Sequence, residues 1–371
     1  MVKSAESALA GYETVRGEVI VDHPTMQTVA TAAGVSRMTV SNAYNRPDQL
    51  TPQTRERILQ LARELGYPGP DPAAQSLRRR STGAIAVVLT SRLTSAFTDP
   101  GLVTVLHGIT GQLSDAGRAL LLVPTSAVPG TFPVRQAIAD AFILCDLVAD
   151  DPAVTDALDR HIPVVTIGCP RLPGVPMVGI DNERSAAMAA RYLLELGHRR
   201  FALLSWKPDE VAGPGGPETG RPSIPLRSAG FVRALRQAGV EPASIVRRAA
   251  TNTAEAAAEA MADVMAQPAV QRPTAVFAVT DVLALGVLAA AQSAGLAVPA
   301  ELSVVGFDNI AAAASSSPPL TTVDHPLLQL GQEAARIALS QLDGKPARSR
   351  RMRTKLVIRA STGPAPSLPP E

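Results

Sequence analysis

The chain has little of what would tie a protein to a metal, a membrane or an oxidising compartment. Its 371 residues include two cysteines, Cys145 and Cys169. Two cannot build a disulfide framework, and they match no zinc-ligand spacing. No run of about 18 apolar residues occurs, so no segment reads as a membrane span. Residues 1–24 mix acids and bases without an apolar stretch, which does not fit a secretory signal and makes a cytoplasmic protein the expectation. The histidines (23, 107, 161, 198 and 325) have no metal spacing; His198, after Gly197, is expected to cap a helix end electrostatically. Aromatic residues make up 3% of the chain, with one tryptophan, so Ala, Val, Leu and Ile must build the core. No Gly-x-Ser-x-Gly elbow is present, and the Gly215–Gly220 run lacks the Lys-Ser/Thr pair of a phosphate loop. Neither an enzyme nor a cofactor is expected.

What is present is apolar material and an uneven charge. At 46% hydrophobic and 18% charged residues the chain can bury a large core and is not a disordered polymer. Its net charge is +2, yet residues 25–80 hold eight arginines against four acids, while residues 1–24 carry a net −2. A basic block on a neutral body fits contact with a polyanion; an ordinary solvated surface would look the same.

The basic block has helical punctuation. Thr25 precedes a helix over 26–33, and Gly34 stops it. Ser36 is an N-cap for a second helix from Arg37 to Asn45. The run Val29-Ala30-x-x-Ala33-Gly34-Val35-Ser36-x-x-Thr39-Val40-Ser41 is a helix, a glycine turn and a helix, with small residues that permit close crossing. A third helix begins at Thr51-Pro52 and repeats Ile58, Leu59, Ala62 and Leu65, with Gly66 as its left-handed end. Residues 1–24 show no sustained periodicity and read as a mobile extension.

Beyond Gly83, apolar strands alternate with helices. "AIAVVLT", "ALLLVP", "DAFILCDL" and "PVVTIG" form one set; "FALLSW", "PTAVFAVT" and "LSVVGFD" form a second. Uninterrupted apolar strands separated by helices indicate parallel sheets covered on both faces. Ligands are expected at the carboxyl ends of such strands.

The segment "TVATAAGVSRMTVSNAYNRPDQLTPQTRERILQLARELGY" closely resembles the headpiece of the LacI/GalR family of bacterial transcription regulators. The likeness continues through "PDPAAQSLRRRSTGAIAVVL", "YLLELGHRRFALL", "TAVFAVTDVLALGVLAAAQSAGLAVPAELSVVGFDN" and "PPLTTVDHPLLQLGQEAARIAL", across essentially all of 25–362. The resemblance implies an N-terminal all-α helix-turn-helix headpiece followed by an α/β core of two doubly wound parallel-sheet lobes, like a periplasmic binding protein. The expected division is an extension at 1–24, a headpiece at 25–70, a hinge at 71–81, a core at 82–363 and a tail at 364–371. Within the core the resemblance puts an N-lobe at about 82–180 and 324–354 and a C-lobe at about 181–323 and 355–363.

The resemblance also implies a function: a regulator, most simply a homodimeric repressor, of double-stranded, near-palindromic operator DNA, controlled by a small-molecule effector such as a sugar or nucleoside. Arg37 and Met38, with Ser41 and Asn42 one turn on, are placed to reach base edges; Arg37 could hold a guanine and Met38 a thymine methyl. Thr25, Ser36, Thr39 and Asn45 are further DNA-contact candidates, Ser36 and Thr39 toward phosphates. Leu77 matches the family's minor-groove wedge, and Ala74 a small position beside it. The alternative is a flexible basic linker with Leu77 packed on the core.

Effector candidates at strand ends are Phe97, Asp99, Gly168, Trp206, Arg227, Asp281, Phe307 and Asp308. Asp281 also reads as a helix N-cap. Arg, Asp and an aromatic plate suit a polyhydroxylated ligand. Two departures weaken any specific sugar: Gly168 stands where an aspartate is common and Thr280 where an asparagine is common. The Gly/Pro-rich stretch 207–225 reads as a mobile loop at the cleft rim. The rival readings are a solute-binding protein, which shares the core but not the headpiece, and an enzyme fused to a DNA-binding module.

Overall fold

The computed structural model describes residues 12–15, 18–21, 24–71, 81–89, 93–125, 130–207 and 222–367. The proposed hinge residues Ala74 and Leu77, and most of the Gly/Pro-rich stretch, lie outside them. Two compact units meet at Thr82–Gly83.

The first unit begins with an antiparallel pair, β1 (Tyr12–Val15) and β2 (Glu18–Val21), in register Tyr12 to Val21. Both strands fall within the stretch 1–24 that reads from the sequence as an extension without sustained periodicity. Each run carries β-branched or aromatic residues, Tyr12, Thr14 and Val15 in one and Val19, Ile20 and Val21 in the other, which favour extended backbone. Three helices follow: α1 (Met26–Ala33), α2 (Arg37–Asn45) and α3 (Pro52–Glu64). Each is capped by the hydroxyl before it. The side chains of Thr25, Ser36 and Thr51 accept from the backbone amides of Thr28, Thr39 and Thr54. Gly34 turns the chain between α1 and α2 at φ +64°, a conformation that costs a side-chain-bearing residue energy. Val29, Ala30, Ala33, Val40, Ala43, Ile58 and Ala62 form the core. Leu65 is 38% exposed and stands outside it.

The second unit contains two six-stranded sheets. The first runs β4-β3-β5-β6-β7-β13, with β3 (Ala84–Leu89), β4 (Ala119–Pro124), β5 (Ala141–Cys145), β6 (Val164–Ile167), β7 (Met177–Gly179) and β13 (Arg350–Arg351) all parallel. The second runs β9-β8-β10-β11-β12-β14, with β8 (Phe201–Trp206), β9 (Val246–Ala250), β10 (Ala275–Ala278), β11 (Ser303–Asp308) and β12 (Thr321–Asp324) parallel and β14 (Lys355–Val357) antiparallel. The chain passes between the sheets after Gly179, after Asp324 and after Arg351. Alternation explains the apolar strands. Ile85, Val87 and Leu89 pack on one face of the first sheet and Ala86 and Val88 on the other, each face covered by helices.

Small residues take over where aromatics are scarce. In the helices Pro100–Asp115 and Leu327–Leu342, Gly108 and Gly331 bring two backbones together. A methyl at Gly108 would collide with the carbonyl oxygen of Leu328, and one at Gly331 with that of Val105. This crossing ties the chain's last long helix to the first lobe, fixing the β12 end where a crossover residue, His325, enters the cleft.

Candidate functional site

Helix α2 presents a polar face. Arg37, Met38 and Asn45 are exposed, and Ser41 and Asn42 half-exposed. Spacings of three and four put Arg37, Met38, Ser41, Asn42 and Asn45 on one side of a helix. Met38 is 70% exposed, an apolar side chain held out to solvent. Asn42 Nδ2 donates to Gln49 Oε1 (3.2 Å) and Asn45 Nδ2 to Ser41 O (3.1 Å), which orders the outer end of that face. Ser36 and Thr39 hydroxyls lie 2.9 Å apart at its start, where the helix dipole and amides favour an anion. Thr25, exposed, sits at the corresponding end of α1. Two arginines of the basic block serve the fold instead. Arg57 Nη2 donates to Ala33 O (3.1 Å) and Arg55 Nε to Ala43 O (3.1 Å), capping late carbonyls of α1 and α2.

The second site lies where the carboxyl ends of both sheets converge. One cavity is lined by Asp99, Asp146 and Gly168 from the first lobe, by Trp206, Arg227, Asn252 and Asp308 from the second, and by His325 from the crossover. Arg227 is its hub, 4% exposed. Its Nε donates to Asn182 Oδ1 (3.1 Å) and its Nη1 to Val279 O (2.7 Å) and Asp308 Oδ1 (3.1 Å). Its Nη2 is 3.3 Å from His325 Nδ1, and its guanidinium lies over the Phe307 ring at 3.8 Å. His325 Nδ1 is also 3.1 Å from Asp308 Oδ1. Burial pushes the His325 pKa down, so the imidazole is neutral near pH 7. Among the described lining residues three carboxylates, Asp99, Asp146 and Asp308, then stand against one guanidinium. Ile180, Ile224, Val282, Ile310, Leu327 and Leu330 supply an apolar wall.

Residues 25–69 match the family model for bacterial regulatory proteins of the lacI family, and residues 190–362 match a periplasmic binding protein-like domain. The chain is 35% identical to an HTH-type transcriptional regulator of Mycolicibacterium smegmatis over 84% of its own length and 89% of that protein. It is 34% identical to the transcriptional repressor CytR of Escherichia coli K12, over 92% and 97%. The chain belongs to the lacI family. Among solved structures, a complex of the regulator CelR with cellobiose is 30% identical, covers 91% of this chain and 99% of its own, and superposes with a TM-score of 0.61. A lac repressor dimer bound to operator and the anti-inducer ONPF, at 24% identity, has a TM-score of 0.73 over 92% and 99%, a likeness of fold. As a LacI-family member the protein is a DNA-binding transcriptional regulator with an effector-binding core, its helix-turn-helix α1–α2 and its core the paired lobes.

Within this LacI-family core the effector candidates divide. Asp99, Gly168, Trp206, Arg227 and Asp308 line one cavity. Asp99 also caps its helix, with Oδ1 accepting from Gly101 N (2.9 Å) and Leu102 N (3.3 Å). Phe97 is 74% exposed and does not line that cavity. Phe307 is fully buried behind Arg227 as its platform, because neighbours in a strand point to opposite faces. Asp281 is fully buried too: Oδ2 accepts from Ile310 N (2.9 Å) and Oδ1 from the Thr322 hydroxyl (2.5 Å). The helix N-cap is Thr280, whose Oγ1 accepts from Leu283 N, so the capping assigned to Asp281 is corrected by one residue. Burial and the nearby Asp308 push Asp281 up to about 7.

His198 is corrected as well. It is fully buried, with Nδ1 2.9 Å from Thr274 Oγ1 and Nε2 3.0 Å from Ser303 Oγ, and burial lowers its pKa. A neutral ring cannot act as a cationic helix cap; it joins Thr274, just before β10, to Ser303 at the start of β11.

Sequence reasoning passed over Asp146, Ser223, Asn252 and His325. Asp146 directly follows β5, as Asn252 nearly follows β9 and His325 follows β12. The strand-end rule that selected Trp206 and Asp308 selects these as well. Asp146 also occupies the space beside Gly168: its Oδ1 lies 3.1 Å from where a Cβ on Gly168 would stand.

Proposed function

We propose that the protein is a homodimeric repressor acting in the cytoplasm on near-palindromic operator DNA, released or tightened by an uncharged polyhydroxylated effector bound between the lobes. Arg37, Met38, Ser41 and Asn42 read base edges, while Thr25, Ser36, Thr39 and Asn45 serve the backbone and register. Ala74 and Leu77 act in the minor groove. In the core, Asp99, Asp146, Arg227, Asn252 and Asp308 hold the effector, and Trp206 offers a ring face. The observation that carries this reading is the cavity itself: among its described lining residues three carboxylates outnumber the one arginine, whose Nε and Nη1 are already engaged within the protein, which disfavours phosphates and acids and favours a ligand that donates many hydrogen bonds. That CelR was solved with cellobiose supports it.

The test is selection of bound duplexes from a random pool, followed by titration with neutral sugars, nucleosides and their phosphorylated forms. A selected near-palindrome whose affinity responds to neutral compounds alone is the expected result. No enriched sequence, or a response confined to phosphorylated compounds, overturns it. Leu77→Ala should weaken binding to the selected site strongly while the dimer persists in sedimentation.

A further inference from the structure

A second hollow lies at the outer edge of the second lobe, between the helix Ser223–Gln237 and strands β8 and β9. Pro225, Ala229 and Val232 of the helix and Ala249 of β9 make an apolar floor. Four arginines stand around it. Arg233 pairs with Glu183, and Arg248 pairs with Asp263 at 2.5 Å. Arg236 and Arg247 are exposed and make no ion pair among the described residues. Strand β9 is the last of its sheet among the described residues, and none of the described strands covers this margin.

The charge of this groove is opposite to that of the effector cleft. An acidic ligand repelled by Asp99, Asp146 and Asp308 would be drawn to Arg236 and Arg247. The floor follows the helix from Pro225 to Arg236, about 16 Å at the helical rise. That length matches about five extended residues. A groove open along its side cannot enclose a compact molecule as a ligand pocket does.

We propose that this groove docks a short extended acidic segment of a partner protein, with apolar side chains on the floor and carboxylates on Arg236 and Arg247. The helix that forms the groove carries Ile224 and Arg227 into the effector cleft from its other side. Docking therefore bears on the same rigid element that holds the effector, and the partner has a direct route to the regulator's response.

The test uses the full chain and a fluorescein-labelled peptide of about six residues alternating glutamate with leucine, so that one edge is acidic and the other apolar. Anisotropy should show saturable binding that weakens as salt rises. The double variant Arg236→Glu/Arg247→Glu should lose roughly tenfold or more in affinity, two charge-assisted contacts being reversed. Its thermal midpoint and its affinity for the selected operator should match the parent, because both side chains are exposed. Equal peptide binding by parent and variant overturns the proposal. So does displacement of the peptide by equimolar inorganic phosphate, which would make this a simple anion site. Loss of self-association in the variant, seen by sedimentation without peptide, would assign the groove to a second copy of the chain and overturn it too.

Discussion

Ser223 Oγ donates a 2.5 Å hydrogen bond to Asp146 Oδ2, and the two residues belong to different lobes. Asp146 directly follows β5 of the first sheet, with an unusual positive φ of 53°, and Ser223 opens the helix that carries Arg227 in the second lobe. Both are buried. The bond spans the cleft that an effector must enter, so it exists only while the lobes are close.

Ser223→Ala removes the donor and leaves the carboxylate behind. A bond to a charged group contributes about 1.5–3 kcal/mol, here to the closed arrangement alone. The variant should show a larger radius of gyration in small-angle scattering and a weaker thermal shift with any effector that stabilises the parent. Scattering curves that superpose with and without the substitution would remove this bond from the opening equilibrium.

Arg227 should tolerate no replacement. Arg227→Ala leaves the half-buried Asp308 without its main cation; breaking a fully buried pair from one side costs about 3–5 kcal/mol, and the partial exposure of Asp308 puts the loss at the lower end of that range or below it. Arg227→Lys keeps the charge but cannot reach Asn182, Val279 and Asp308 together or lie flat on Phe307. Both variants should unfold at lower urea concentration, alanine more so, and both should lose the effector response of operator binding. A lysine variant with a full response would show that charge alone is what the site uses.

The pH dependence of stability follows from Asp281. Burial pushes its pKa up to about 7 in the folded chain against the ordinary aspartate value of 3.8, so between these pH values the folded state holds a proton that the unfolded state has lost. Its contribution to stability is therefore greatest near pH 4 and declines as pH rises toward 7. His198 and His325, with lowered pKa values, act in the opposite sense, destabilising the fold as pH falls below about 6.5. Asp281→Asn isolates the first effect. Denaturation curves at about pH 5 and about pH 8 should show the variant gaining on the parent at the higher pH. A parent-to-variant difference that does not change with pH would mean that Asp281 is charged throughout.

What could be read from the chain depended on how local the cause was. Thr25, Ser36 and Thr51 announce helix starts because a hydroxyl caps an amide three residues on, and Gly34 announces a turn because it needs a positive φ. The sheets were visible because strands buried on both faces are continuously apolar. Asp281 was misread because Thr280 and Asp281 are both capping residues, and only the strand's exit angle decides between them. Phe307 and Asp308 were both read as cleft residues, although strand alternation allows only one of two neighbours to face it. The Ser223–Asp146 bond could not be read at all: it joins positions 77 apart in different lobes. The roles of Arg55 and Arg57 were hidden for the same reason, since reaching Ala43 and Ala33 depends on how α3 crosses α2 and α1.

That distinction makes the headpiece arginines separable by experiment. Arg37 is exposed on α2 and makes no side-chain hydrogen bond or ion pair among the described residues, whereas Arg57 ends on the Ala33 carbonyl. Arg37→Ala should leave the thermal midpoint unchanged and cost about 1–3 kcal/mol of operator affinity, with specificity relaxed at one base pair of each half-site. Arg57→Ala should do the reverse. It loses a cap worth about 1 kcal/mol of headpiece stability, and any loss of binding should be uniform across sequences and recoverable at low temperature. Binding by a panel of single-base operator variants, measured for both proteins, separates the two. If Arg57→Ala relaxed specificity at a single position while Arg37→Ala did not, the reading face would have to be moved from α2 toward α3.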